Sequence, residues 1–471
     1  MRRRVAVRLG ALLLAALLCV PCIPPALADE YDPRYPENLA EGHLTASAAI
    51  LIEQDTGQVI FEKNADERMY PASTTKILTV WLALMLGESL PEGMDTKFPV
   101  SANATNLAPD ESSAKFAIGE EVRLIDLCNA AILVSGNDAA TAIAEGLSGS
   151  VDAFVERMNS AAYALGCTNT HFKCASGLTT DFENHYSSAH DMAIIANHLM
   201  NIPELAEIAY TPHSYGIKPT NKHDNVQWVV STNLLIREGE KGADGTDYFY
   251  QYCEGVKTGY LIKSGHCFAG YAKKNVGGRD YHYIVVLLND HAPSAKDKNY
   301  AFIDAKNLFE WAFNNLYITD IYNTNVPITE IPLKLAWNKD SITLVPQDDF
   351  STILPKGVKS TSVSKEITFV DEVAEAPIRK GQKLGTAVLT YDGEVIGRIN
   401  LVASESVERS TLLAFLDWIN NLFASVIFRI FLVLAVLGVA GYIFVSYSRK
   451  QRMNSLKRNV SRRKATRRTY R

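Results

Sequence analysis

Three short motifs in this 471-residue chain combine hydroxyl, amine and amide groups at spacings that suit nucleophilic catalysis. The motifs are Ser73-Thr74-Thr75-Lys76, Ser135-Gly136-Asn137 and Lys257-Thr258-Gly259. Each is weak alone, because composition would produce about one or two Ser-x-x-Lys matches in a chain of this length. The combination is informative because the motifs occur in this order. They are also predicted to lie at a helix start, in an interhelical loop and in a strand, respectively.

The first motif suits an activated serine nucleophile. Residues three apart at a helix N-terminus share one face, so the amine of Lys76 is expected to approach the Ser73 hydroxyl. A lysine can take the serine proton if burial and nearby cations lower its pKa, and Lys257 is one such cation. The N–H groups and positive dipole end of a helix at Ser73 would favour a developing oxyanion.

The other two motifs supply groups for proton transfer and substrate binding. Ser135 could relay the proton to a leaving amine, while Asn137 orients Lys76 or a substrate amide. The strand that begins at Lys257 could pair with an extended peptide, and Lys257 and Thr258 would meet a carboxylate.

Hydrophobic patterning predicts one large α+β unit around these motifs. Strand-like runs at 47–53 and 58–62 are joined by a hairpin turn, and five helix-like stretches follow. The first helix is expected to begin at Ser73 and to end with Gly87 as its C-cap. Three strand-like runs then precede a helix over Tyr300–Asn315, and the two ends of the unit are expected to share one sheet.

A small all-β domain and a membrane segment are predicted next. Residues 321–405 contain short alternating runs separated by turn residues, which predicts a β-sandwich. A linker over 406–421 leads to the apolar segment 422–447, which is long enough to form a transmembrane helix. Residues 448–471 form a basic tail.

The N-terminus is typical of an exported protein. Residues 1–28 have the basic, apolar and small-residue regions of a signal peptide, and 29–45 are predicted to be a linker. A lipoprotein signal around Cys19 is a weaker alternative. Because the basic tail follows an apolar span, the positive-inside rule places the C-terminus in the cytoplasm and the catalytic domain outside.

Charge and composition exclude several classes of function. The formal charge is −5, and without the four N-terminal arginines and the eleven tail cations it is about −20. Such a balance argues against a nucleic-acid partner. Five cysteines remain after the signal peptide, with no C-x-x-C pair, and His185 and His190 lack a suitably spaced third ligand. We therefore predict no metal and no cofactor.

The combined motifs resemble those of the low-molecular-weight D-alanyl-D-alanine carboxypeptidases, which are serine-type penicillin-binding proteins. The resemblance covers about residues 40–405. It is carried by the segments Pro71–Lys76, Ser135–Ala140, Ala175–Leu178, His185–Met192 and Gly255–Gly259.

The resemblance implies a penicillin-binding/β-lactamase-like catalytic domain over 46–320, with helices packed on an antiparallel sheet. It implies an acyl-enzyme on Ser73, Lys76 as base, and an oxyanion hole from the backbone N–H groups of Ser73 and Tyr260. The substrate would be the peptidoglycan stem peptide, and β-lactams would be inhibitors. The catalytic residues are thus Ser73, Lys76 and Ser135, and the substrate-binding residues are Asn137, Lys257, Thr258, Gly259 and Tyr260.

One position departs from the family. Relatives often carry an arginine for the substrate carboxylate near the start of the helix that corresponds to Tyr300–Asn315, and here that position falls on Ala301. Lys298 is the nearest cation in the sequence, so we expect Lys298, together with Lys257 and Thr258, to replace the arginine. The alternative is that Lys298 is a solvated surface charge.

Three alternatives remain open from the sequence. A class A-like β-lactamase shares the serine and lysine chemistry, a D,D-endopeptidase shares the fold, and a wall-binding protein could keep the motifs without catalysis. The lifetime of the penicillin adduct separates the first alternative, because a lactamase hydrolyses the adduct quickly.

Overall fold

A computed structural model describes residues 44–291 and 298–466, with side chains described up to residue 456. The predicted signal peptide (1–28) and nearly all of the predicted linker (29–45) lie outside the described residues. The described chain divides into two units. The first comprises residues 44–319 and 352–358, and the second comprises residues 320–351 and 359–466.

A five-stranded antiparallel sheet forms the centre of the first unit. The strands of this unit are β1 (Ala46–Glu53), β2 (Val59–Lys63), β3 (Lys97–Pro99), β4 (Glu121–Arg123), β5 (Tyr215–Ile217), β6 (Gln227–Val229), β7 (Cys253–Leu261), β8 (Gly265–Val276) and β9 (Arg279–Asp290). The order in the central sheet is β2-β1-β9-β8-β7. Because β1 pairs with β9, with Ala49 opposite Leu287, the N-terminal hairpin joins the C-terminal strands, as predicted.

Helices cover both faces of this sheet. They are α1 (Lys76–Gly87), α2 (Leu124–Leu133), α3 (Asn137–Ser148), α4 (Val151–Ala164), α5 (Ala189–Met200), α6 (Pro203–Ala209) and α7 (Tyr300–Asn315). Side chains alternate between the faces of a strand, so Ile284 and Val286 of β9 join the buried cluster of α1–α6. Val285 and Leu287 face the cluster around α7. Each such fully buried side chain stabilises the fold by about 1.5–3 kcal/mol.

The first helix differs from its prediction at both ends. Ala72–Thr75 form a 3₁₀ turn, and the α-helix begins only at Lys76. The predicted C-cap at Gly87 is wrong, since Gly87 is helical and Glu88 continues with a right-handed φ of −56°. The position is instead closely packed, because a Cβ there would lie 2.8 Å from Leu124 Cδ2.

The second unit contains the predicted all-β domain. Its strands, with two that cross the boundary between the units, are β10 (Leu316–Tyr322), β11 (Thr329–Lys334), β12 (Ser341–Pro346), β13 (Phe350–Pro355), β14 (Ser364–Phe369), β15 (Ala374–Glu375), β16 (Lys383–Tyr391) and β17 (Glu394–Ala403). Six of them form a sheet in the order β14-β16-β17-β12-β11-β15, and β10 pairs with β13. The predicted boundary at 320/321 misses residues 352–358, which return to the first unit.

Two helices follow the β domain. The predicted linker 406–421 is helical from α8 (Thr411–Ala424), and α9 (Val426–Thr466) follows after a break at Ser425. The guanidinium of Arg429 donates to the carbonyl of Phe423 at 3.0 Å and so satisfies the end of α8. The predicted span 422–447 is therefore interrupted at its start. Within the described chain, the segment Val426–Leu456 is the one helix long and apolar enough to cross a membrane.

Candidate active site

The predicted nucleophile, Ser73, lies in a tightly held turn. Ala72 before it has a positive φ of 47°, which is rare for a residue with a side chain. The hydroxyl of Thr74 donates to Pro71 O at 2.6 Å, and that of Thr75 donates to Ala72 O at 2.8 Å. These bonds hold Ser73 at the entrance to α1, where the helix begins.

The amine of Lys76 is in contact with the Ser73 hydroxyl. Its Nζ lies 3.0 Å from Ser73 Oγ, 2.8 Å from Asn137 Oδ1 and 2.7 Å from the carbonyl oxygen of Ser176. Lys76 is fully buried. Burial lowers its pKa to about 7, against the opposing effects of Cys174 and Asp138. The lysine therefore has a substantial neutral fraction near neutral pH.

A second buried amine belongs to Lys257 on β7. Burial, and then the charge of Lys76, hold the pKa of Lys257 well below its usual range. Its Nζ donates to Thr258 O at 2.8 Å and lies 3.5 Å from Thr258 Oγ1. The sequence predicted that Lys257 lowers the pKa of Lys76. Burial is what lowers the pKa of Lys76, and the charge effect acts from Lys76 on Lys257.

The loop between α2 and α3 carries Ser135 and Asn137. Ser135 is nearly buried and has a positive φ of 60°. Two backbone bonds fix the loop, from Gly136 N to Ala130 O and from Asn137 N to Ser112 O. The buried carboxylate of Asp138 accepts from Ser113 Oγ at 2.7 Å and from two backbone N–H groups beyond it. Asp138 thus ties the loop to the segment that borders the site.

Strand β7 approaches the serine turn closely. A Cβ at Gly259 would lie 3.1 Å from the backbone nitrogen of Ser73, so glycine permits this approach. Among the described strands, β7 lies at the edge of the sheet, and β8 is its one neighbour there. An edge strand beside a nucleophile can accept an extended peptide as an added strand.

A cleft of about 660 Å³ collects the predicted residues. Six of the eight line it, and Lys76 and Lys257 lie buried behind its wall. The six lining residues are Ser73, Ser135, Asn137, Thr258, Gly259 and Tyr260. The three motifs, far apart in the chain, therefore meet at one place.

Sequence reasoning did not assign roles to three contributors to the site. They are the carbonyl of Ser176, the carboxylate of Asp138 and the hydroxyl of Thr232. Ser176 and Asp138 lie in segments that carried the resemblance, but their contacts were not predicted, and Thr232 lies outside those segments. Lys298 is exposed and is not among the described residues that line the cleft, whereas Asn299 is. The role of Lys298 at the carboxylate stays a prediction.

The other reactive side chains have structural surroundings. His185 bonds Thr75 Oγ1 through Nε2 at 3.1 Å and accepts from Lys173 N through Nδ1, and burial lowers its pKa to about 4. Cys253 and Cys267 are buried free thiols, and burial raises their pKa values to about 12 and about 11. Thiols with such pKa values are unreactive at neutral pH.

Fold and site together are those of an active-serine hydrolase: a serine at a helix entrance, a buried lysine that contacts it, and an edge strand alongside. The D-alanyl-D-alanine carboxypeptidase family matches residues 36–292. The C-terminal domain of penicillin-binding protein 5 matches residues 321–409.

Individual proteins are similar over most of their length. The D-alanyl-D-alanine carboxypeptidase DacF of Bacillus subtilis is 34% identical, over 87% of this chain and 98% of the relative. DacA of Haemophilus influenzae is 31% identical over 80% of this chain and 89% of its own. The crystal structure of penicillin-binding protein 5 from Haemophilus influenzae superposes with a TM-score of 0.62 at 28% identity, covering 78% of this chain and 98% of that one.

These matches show that the chain belongs to the D-alanyl-D-alanine carboxypeptidase family. They confirm the predicted fold class, a penicillin-binding catalytic domain followed by a small β domain and an apolar C-terminal helix.

Proposed function

We propose that this protein removes the terminal D-alanine from peptidoglycan stem pentapeptides through an acyl-enzyme on Ser73. The observation that carries the proposal is the 3.0 Å contact between Ser73 Oγ and the amine of Lys76, whose burial lowers its pKa to about 7. Family membership supports the serine-type carboxypeptidase activity.

In the first step, neutral Lys76 takes the proton of Ser73 while Oγ attacks the carbonyl carbon of the penultimate D-alanine. The backbone N–H groups of Ser73 and Tyr260 would stabilise the oxyanion that forms. The C–N bond then breaks, and the leaving amine of the terminal D-alanine receives a proton through Ser135. The products are free D-alanine and an ester on Ser73.

In the second step, water attacks the ester carbonyl. Lys76 accepts a proton from the water, and Ser73 recovers its own proton as the C–O bond breaks. Asn137 keeps the lysine in position through both steps, because its Oδ1 accepts from Nζ at 2.8 Å.

The substrate would bind as an extended strand along the free edge of β7. This pose would bring its terminal carboxylate near Lys257 and Thr258, whose polar atoms lie side by side. β-Lactams would acylate the same serine. When the lactam C–N bond opens, the amine stays attached to the acyl group, so no leaving group departs.

The test is a Ser73→Ala variant compared with the unaltered protein. We expect the parent to release D-alanine from a D-Ala-D-Ala peptide and to gain the mass of penicillin, and the variant to do neither. Unchanged unfolding behaviour of the variant serves as the control for folding. If penicillin still labelled the variant, Ser73 would not be the nucleophile.

The same experiment separates a carboxypeptidase from a β-lactamase. A penicillin adduct that persists for many minutes, together with D-alanine release, supports the carboxypeptidase. An adduct that disappears within seconds without D-alanine release would favour the lactamase.

We also propose that the catalytic unit is extracytoplasmic and the C-terminus cytoplasmic. The support is the apolar helix Val426–Leu456 and the basic residues after 448. Protease added outside intact cells should digest the catalytic unit and spare an epitope at the C-terminus, and loss of that epitope would reverse the orientation.

A further inference from the structure

The active-site cleft has few exposed cations. Among its described lining residues, Lys263 is the one lysine or arginine, and its Nζ lies 4.4 Å from the ring centroid of Phe182 and 5.0 Å from that of Tyr70. Three acidic residues line the same space, namely Asp110, Glu111 and Asp244. Binding of a substrate carboxylate in this cleft therefore requires nearby hydrogen-bond donors in addition to the buried amine of Lys257.

A pair of hydroxyl groups lies in the wall beside that amine. Thr232 Oγ1 and Thr258 Oγ1 are 2.6 Å apart, and both residues line the cleft. Each hydroxyl carries one proton, and each can rotate to donate to a different acceptor. Two donors so close together suit the two oxygens of a single carboxylate.

The backbone around Thr232 is fixed before any substrate binds. Its N–H donates to Leu133 O at 2.9 Å, so the threonine is attached to the end of α2. Its neighbours Ser231 and Asn233 are buried, and Asn233 Oδ1 accepts from Leu235 N to begin a 3₁₀ turn. Only the side chain of Thr232 must rotate on binding, which keeps the entropic cost of binding small.

From this geometry we infer that Thr232 is a specificity-determining residue that binds the terminal carboxylate of the substrate together with Thr258. The inference rests on the proposed function, since it concerns the same cleft and the same end of the peptide. On binding, the single bond between the hydroxyls is exchanged for two charge-assisted bonds to the carboxylate. The amine of Lys257, which contacts Thr258, is a further N–H donor beside the two hydroxyls.

The test compares two peptides, one ending in D-Ala-D-Ala with a free carboxylate and one with the terminal carboxyl converted to an amide. Thr232→Val keeps the shape of the side chain and removes its hydroxyl. We expect the ratio of kcat/KM for the free acid to kcat/KM for the amide to fall about tenfold or more, because one charge-assisted hydrogen bond is lost. Thr232→Ser should restore most of the ratio.

Thr211→Val is the matched control. The Thr211 hydroxyl donates to the backbone carbonyl of Glu207, and Thr211 is not among the residues lining the cleft. This variant should keep the parent ratio. A threonine that is merely structural would lower kcat/KM for both peptides equally when changed, and such a parallel loss at Thr232 would overturn the inference.

Two further outcomes separate the inference from the proposed function. A parent enzyme that releases D-alanine, with an unchanged ratio in Thr232→Val, would overturn the inference and leave the proposed function standing. A parent that releases no D-alanine would overturn both. Lys298→Ala belongs in the same assay, and a selective loss there instead of at Thr232 would assign the carboxylate to the lysine.

Discussion

Three oxygen atoms around Lys76 fix the direction of its amine. A neutral amine has two N–H donors and one lone pair. Two of the three partners, Asn137 Oδ1 and the carbonyl of Ser176, can only accept, whereas the Ser73 hydroxyl can also donate. When the amine is neutral, the two carbonyl oxygens accept both N–H groups, and the lone pair is left to face Ser73. This is the geometry that a general base requires.

Acylation by penicillin should depend on the ionisation of Lys76. Protonated Lys76 cannot accept a proton, so below its pKa of about 7 the acylation rate should fall about tenfold per pH unit. Above that pKa the neutral form predominates and the rate should level off. Stopped-flow measurement of penicillin acylation from pH 5 to 9 would show the inflection, and a flat profile would contradict the assignment of Lys76 as base.

Lys76→Arg is a sharper variant for the same question. A guanidinium remains protonated at any accessible pH, so it keeps the charge and loses the base function. We expect it to slow acylation nearly as much as Lys76→Ala does, and its residual rate should lose the inflection near pH 7. An arginine variant that retains most of the parent rate would make Lys76 an electrostatic group only.

Only some of the active-site residues can be predicted from the sequence, because the others depend on contacts between distant parts of the chain. The Ser73–Lys76 contact follows from helical spacing, and the order of the motifs brought Asn137, Lys257 and Thr258 into consideration. Ser176 takes part through its backbone carbonyl, which every residue possesses, so its side chain gives no signal. Thr232 lies on an irregular segment whose position depends on contacts with α2 and β7.

At the scale of elements, the serine turn is shaped by a second loop pressed against it. Gly177 has a positive φ of 80°, and a Cβ there would lie 1.9 Å from the carbonyl oxygen of Ala72 and 3.0 Å from Ser73 N. The loop 175–178 therefore presses on the backbone of the nucleophile and also supplies the Ser176 carbonyl to Lys76. One glycine permits both contacts.

Gly177→Ala should damage catalysis much more than backbone strain alone explains. Gly149 is the matched control, because it has a φ of 78° at the end of α3 and nothing within 4 Å of its would-be Cβ. Gly149→Ala should cost about 1–2 kcal/mol of stability and keep kcat/KM. Gly177→Ala should pay that cost and also lower the acylation rate a hundredfold or so, because the clash displaces Ala72 and Ser73.

Penicillin labelling kinetics and urea unfolding of the two variants would measure these effects. Equal acylation rates in the two alanine variants would show that the loop can relax without moving the serine.

Local patterns predict most helices and strands here, but they do not predict the contact between Gly177 and Ala72. The 3₁₀ turn at Ala72–Thr75 and the packing role of Gly87 likewise arise from neighbours that are distant in the chain.

At the scale of the whole molecule, the catalytic unit is not a continuous piece of chain. Residues 352–358 return to it after the chain has entered the β domain. Within the first unit, Ile353 N and Thr352 Oγ1 both donate to Gln58 Oε1, at 2.8 and 2.9 Å. Ile353 is also buried in the cluster around α7. A change of sequence pattern can indicate where one domain ends and the next begins. It cannot indicate that a later segment, here 352–358, belongs to the earlier domain.

Two truncations should therefore behave differently. A chain that ends after Ser410 loses α8 and α9, in which no described side chain is buried, and it should be soluble with unchanged kcat/KM. A chain that ends after Asp320, the predicted end of the catalytic domain, also loses Ile353 and the bonds to Gln58. It should be less stable by about 3 kcal/mol or more, from one buried aliphatic side chain and its hydrogen bonds.

A point variant keeps this comparison interpretable if the shorter chain fails to fold. Ile353→Ala in the chain ending after Ser410 should lower the free energy of unfolding by about 2–4 kcal/mol, through the cavity it leaves beside α7. Its kcat/KM should stay at the parent value, because Ile353 belongs to the cluster on the α7 face, whereas Lys76 lies in α1, which packs on the other face. Equal unfolding free energies for Ile353→Ala and its parent would show that the returning segment contributes no stability to the catalytic unit.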